Sequence, residues 1–162
     1  MKLARVVLIV FCIALAFGAG WISGMTRMGA AIDPVDLPEV ERQFIEKMNG
    51  AALVGHFTLR GREMRDAPPD RYDIYSVEKV GDDLWRFNAK IGEVGVTVPV
   101  VVRMRFVDDT PLIVMSEAGI PGMGEGFSAR VLFHEDQYAG TWGHGPRGGL
   151  MFGRIEPGGA QR

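Results

Sequence analysis

From Ala51 to Glu156 the apolar residues recur at every second position, and turn-forming residues interrupt them every 8–14 positions. That pattern belongs to half-buried strands, and no helix-length periodicity breaks into it. It predicts eight strands: Leu53–Arg60, Arg71–Val80, Leu84–Ile91, Val96–Val107, Pro111–Glu117, Phe127–His134, Gln137–His144 and Leu150–Glu156. Gly81-Asp82-Asp83, Asp108-Asp109-Thr110 and Glu135-Asp136 are tight turns, which pair their flanking strands as antiparallel hairpins.

Alternation assigns the faces. Leu53, Gly55 and Phe57 oppose His56 and Thr58; Trp85, Phe87, Ala89 and Ile91 oppose Arg86, Asn88 and Lys90. Val100, Val102, Met104 and Phe106 oppose Arg103 and Arg105, while Phe127, Ala129, Val131 and Phe133 oppose Ser128, Arg130 and His134. A sheet with one dry face has to cover it, and little besides the sheet itself is available here. Eight strands in simple hairpin order do so by curling into a closed barrel, which also removes the exposed edges. The expected class is therefore all-β, an eight-stranded antiparallel up-and-down barrel, favoured over a two-sheet sandwich. Glycines within strands, among them Gly55, Gly140, Gly143 and Gly153, mark where the wall bends most.

Two segments precede the strands. Val6 to Met25 is an uncharged run of twenty residues, and at ~1.5 Å per helical residue it spans about 30 Å, the hydrocarbon thickness of a bilayer. Lys2 and Arg5 before it outnumber Arg27 after it, which keeps the N-terminus in the cytoplasm and exports the rest. Residues 1–31 are read as a transmembrane signal-anchor, with Trp21 as an interfacial anchor; the alternative is a cleaved signal peptide ending at Gly29-Ala30-Ala31 and a secreted product. Residues 32–50 hold a proline-bearing linker and one short amphipathic helix. Leu37, Val40, Phe44, Ile45 and Met48 recur at helical spacing, Asp36 and Glu39 form a capping box, and Asn49-Gly50 stops the helix. Its acidic polar face favours packing across one end of the domain over lying on lipid. Residues 157–162 read as a disordered tail.

The composition excludes several function classes. Beyond residue 31 there are 15 basic and 20 acidic side chains, an excess of five negative charges, which is the wrong balance for a nucleic-acid binder. Cys12 is the single cysteine, so neither an intrachain disulfide nor a thiolate metal site is available. His56, His134 and His144 fall on different faces, and no metal or other cofactor is expected. There is no Gly-x-Ser-x-Gly, and the glycine-rich Gly143–Gly149 has no helix after it to cradle phosphate; it reads as a flexible hairpin loop. Gly119–Gly126 reads as a wide turn that exposes Ile120 and Met123 as a contact site. The paired turn carboxylates are explained by their own backbone hydrogen bonds.

At Gly55-His56-Phe57 and Gly140-Thr141-Trp142 the chain resembles the Gly-x-aromatic strands of calycins, the lipocalin and avidin group of eight-stranded barrels. The resemblance implies that Arg154 on the last strand covers Trp142 or Phe57 in a cation–π contact. A second resemblance runs from Ala51 to Glu156, through Asp109-Thr110-Pro111-Leu112-Ile113, Ile120-Pro121-Gly122, Ala129-Arg130-Val131-Leu132 and Tyr138-Ala139-Gly140-Thr141-Trp142-Gly143-His144-Gly145. These stretches look like those of an uncharacterised family of exported bacterial envelope proteins. This likeness implies one domain in the cell envelope and supplies no mechanism.

The expected function is a non-catalytic, membrane-anchored envelope domain. Its barrel either has a packed interior, with a structural or interaction role toward another envelope protein, or holds a small apolar ligand on Trp85, Phe87, Met104, Phe133, Trp142 and His144. The rival expectation is an enzyme with His144 at the barrel mouth beside Glu125 or Tyr138.

Overall fold

A computed structural model describes residues 29–91 and 97–160, and residues from Ala31 onward form one compact unit. It is a closed barrel of eight antiparallel strands in which each pairs with the next and the last with the first. The strands are β1 (Ala52–Phe57), β2 (Pro69–Lys79), β3 (Leu84–Ile91), β4 (Thr97–Val107), β5 (Thr110–Ile120), β6 (Gly124–His134), β7 (Gln137–His144) and β8 (Arg147–Glu156). Up-and-down order and inward faces follow the period-two pattern: Trp85, Phe87, Ala89, Val102, Met104, Val131 and Phe133 are all buried.

Closure depends on close backbone approach. A Cβ on Gly55 would come within 2.0 Å of the Phe152 carbonyl oxygen on β8, and one on Gly140 within 1.9 Å of the Arg130 carbonyl oxygen on β6. Only glycine fits where the wall folds this tightly.

The two ends differ. At one end lie the tight turns after β2, β4 and β6, with the helix α1 (Glu39–Met48) lying across them. Phe44 enters from α1 and meets four rings edge-on: Trp85 at 6.1 Å, Phe87 at 6.4 Å, Phe106 at 5.9 Å and Phe133 at 5.6 Å between centroids. Such edge-to-face contacts contribute about 0.5–1.5 kcal/mol each beyond the area buried. Polar ties fix the helix in place. Lys79 pairs with Glu41 at 2.6 Å, Lys47 with Asp136 at 3.0 Å, and the Val77 amide donates to Asn49 Oδ1 at 2.8 Å. Packing across one end is thus the role of the amphipathic stripe, as its acidic face predicts.

Several expectations are corrected in detail. The capping box does not form: Asp36 closes a 3-10 turn at Pro34–Asp36 whose own cap is Asp33, the helix begins after Pro38, and Glu39 bonds Arg42 and Gln43. β5 and β6 run further than the glycines suggest, because a bulge at Glu117 (φ 50°) bends β5 and lets it continue to Ile120. Gly119–Gly126 is consequently mostly strand, joined by a short turn at Pro121–Met123, and Ile120 is buried instead of exposed. In the same way Gly143–Gly149 is a hairpin turning at Gly145-Pro146. After β8 the tail turns back at Pro157-Gly158, and the Ala160 amide donates to Gly50 O at 3.0 Å. Arg154 points outward to Glu156 at 2.8 Å and covers neither Trp142 nor Phe57.

The expected signal-anchor falls almost wholly on residues 1–28, outside the described residues. Among the described residues no helix is long and apolar enough to cross a membrane.

Candidate functional site

The helix does not cover the end opposite α1, and among the described residues the interior there is hollow. A cavity of about 320 Å³ runs between Phe87 and Phe133 below and Ile120, Met123 and Phe127 at the mouth. Its wall comes from the inward residues of all eight strands, including Phe57, Tyr72, Val100, Ile113, Ala129, Trp142 and Met151. A volume of this size lies at the lower bound of small-molecule pockets, about 300–1,000 Å³. The small side chains of Ala89 and Ala129 leave the space; the bulk that would otherwise fill it, Trp85 and Phe106, stands at the other end against Phe44.

The six expected ligand-contact residues therefore divide by height in the barrel. Phe87, Phe133 and Trp142 line the cavity. Trp142 is set by its indole N–H donating to Thr58 O at 3.1 Å and by an edge-on contact with Phe57 at 5.5 Å. Trp85 and Met104 are buried in the packed end and do not reach the cavity. His144 stacks flat on Phe127 at 4.0 Å, at the rim, and braces a wall residue without facing the interior.

Neither partner expected for His144 is beside it. Tyr138 opens β7 at the helix end, six residues or roughly 20 Å along the strand from His144. The Glu125 carboxylate lies over the backbone of Gly119. His56 and His134 are exposed, and among the described residues no group of three or more His, Cys, Asp or Glu is placed to hold a metal ion.

The polar feature of the cavity is one the alternation did not reveal. Asp70 and Tyr72 point inward from β2, in register with Gly55 and Leu53 of β1. Gly55 is in register with Gly153 of β8, and Gly153 with Tyr138 of β7. Gly153 leaves room for the Tyr138 ring, which lies so close over it that a Cβ there would sit 2.8 Å from the ring. A carboxyl and two phenols thus share one layer of the wall. Burial raises the Asp70 carboxyl above the ordinary carboxylate range, partly offset by hydrogen bonds from Tyr72 and from the Arg71 backbone. Burial, reinforced by the Asp70 charge, likewise raises both phenols far above their usual range, so they stay protonated donors. Asp70 Oδ2 and the Tyr138 hydroxyl are buried without a hydrogen-bond partner among the described residues.

Asp70 escapes sequence reading because Pro68-Pro69-Asp70 looks like a turn, whereas β2 already starts at Pro69 and a bulge between Ile74 and Ser76 shifts the parity of the remainder. The available signal was Tyr72, which alternates correctly with Ile74 and, carried back one step, places Asp70 inside.

Comparison with family models, with curated proteins and with solved structures finds no match to this chain.

Proposed function

We propose that this chain is a membrane-tethered, extracytoplasmic barrel that binds a small, mainly apolar ligand in its interior and catalyses no reaction. The observation that carries the reading is the cavity of about 320 Å³ with its apolar wall and a single carboxyl–phenol layer. Apolar surface supplies affinity in such a pocket, and a few fixed polar groups orient what enters. The tether rests on the uncharged run Val6–Met25 and its basic N-terminal flank.

Binding is tested by titrating the purified full-length protein with the neutral apolar dye N-phenyl-1-naphthylamine and following its emission. The expected result is saturable binding that falls at least tenfold on average in Ala129→Leu and Ala89→Leu, which place new methyl groups in the cavity. Melting temperatures should change little, because the added volume enters existing space. A wild-type protein that does not bind, or filled variants that bind equally well, would overturn the reading. The tether is tested separately: in a bacterial host, a C-terminal tag should be cut by protease only when the outer compartment is opened to it, and the protein should leave the membrane fraction only with detergent. Digestion confined to lysed cytoplasm would refute the export.

A further inference from the structure

The arginines of this barrel are not distributed evenly with respect to their partners. Arg42, Arg71, Arg86, Arg103, Arg105 and Arg154 each pair with a carboxylate. Arg60, Arg62, Arg130 and Arg147 form no ion pair among the described residues, and all four line one groove at the open end. The groove holds no acidic residue, although the chain carries more acidic than basic side chains. It shares Ser128, Ala129, Trp142 and Gly143 with the lining of the interior cavity.

Unpaired guanidiniums repel one another, so gathering four of them beside a single opening costs stability unless an anion offsets it. Arg130 is held in place at the edge of the groove by neutral acceptors. Carbonyl oxygens of Met115 and Ala129 accept from its Nη1 at 2.6 and 2.8 Å, and Ser116 Oγ from its Nη2 at 3.0 Å. These neutral partners fix the fork without cancelling its charge. Arg60, Arg62 and Arg147 are exposed and free to close over a bound group. The planar forks match the oxygens of a phosphate, which offers three acceptors and more than one charge to share among them.

We infer that the ligand is a phosphate-headed amphiphile, its head seated on Arg60, Arg62, Arg130 and Arg147 and its chain passing the mouth into the cavity. The inference rests on the interior being a binding site, as proposed above, and adds the chemistry of what occupies it. The adjacency of a cationic groove and an apolar chamber, through four shared wall residues, is what distinguishes an amphiphile from a free anion or a neutral oil.

Competition against N-phenyl-1-naphthylamine tests this, using dodecyl phosphate below its micellar concentration, 1-dodecanol and inorganic phosphate. Wild-type protein and the triple variant Arg60→Gln/Arg62→Gln/Arg147→Gln are compared; the three side chains are exposed and unpaired, so their loss leaves the barrel intact. Dodecyl phosphate should displace the dye from the wild type at concentrations on the order of 100-fold below those of 1-dodecanol. The triple variant should abolish that advantage while dye and 1-dodecanol binding stay unchanged, and rising salt should erode it in the wild type only. Equal displacement by both dodecyl compounds overturns the inference while leaving the cavity reading standing. So does inorganic phosphate that binds as tightly as dodecyl phosphate, which would make the groove a free-anion site. If the dye itself does not bind, the cavity reading fails and the inference falls with it.

Discussion

The two ends of this barrel are built from the same eight strands and have opposite character. At the helix end the interior is solid: Phe44 is held by four rings, and every basic side chain named there has a carboxylate partner, Lys79 with Glu41, Lys47 with Asp136, and Arg103 and Arg105 with Asp83. At the other end Gly122 and Gly145 in the turns and Gly124 and Gly126 at the start of β6 have positive φ, the interior is hollow, and four arginines lack carboxylate partners among the described residues. An eight-stranded wall encloses only slightly more volume than its own side chains fill. One helix closing one end, with the bulky residues gathered beneath it, leaves alanines and a hollow at the other. The difference teaches that stability and binding are separated along the barrel axis, so that the open end tolerates unpaired charge and empty volume.

The separation is broken most forcefully at the helix. Phe44→Ala should cost about 3–5 kcal/mol in urea denaturation, since a fully buried ring and its four partners are lost together. Phe127→Ala at the open end removes a half-buried ring and should cost only about 1 kcal/mol. Equal losses at the two positions would show that the ends share the load.

A smaller effect sharpens the contrast from inside the cavity. Burial raises the Asp70 carboxyl in the folded state, so its ionisation opposes folding. Asp70 thus has no destabilising effect below its unfolded value, acquires one as pH rises through the window between the unfolded and folded values, and keeps it above. Asp70→Asn should therefore raise the melting temperature at neutral pH and lose that advantage in acid. A variant equally or less stable than wild type at neutral pH would mean that Tyr72 and the Arg71 backbone more than offset the burial of the charge.

The barrel was legible in the sequence because inward residues had to alternate and no other element offered cover. Trp85, Phe87, Val102, Val131 and Phe133 declare their faces locally, and two-residue turns such as Glu135-Asp136 leave no freedom in the order of pairing. The helix was legible for the same reason, since Phe44, Ile45 and Met48 share one stripe. The site was less so. Asp70 hides behind two prolines, Tyr138 and Asp70 share a layer only through the register of two intervening strands, and the groove draws Arg60 with Arg62, Arg130 and Arg147 from three separate parts of the chain.

By itself the sequence determined a closed eight-stranded wall, its hairpin order and a helix with a face to bury, because periodicity and turn chemistry act between near neighbours. Only the tertiary structure decided that Trp85 belongs to a plug and Phe87 to a chamber, and that four arginines stand together without carboxylate partners among the described residues. Those outcomes depend on strand register and on where a helix comes to rest, which are set by packing between residues far apart along the chain.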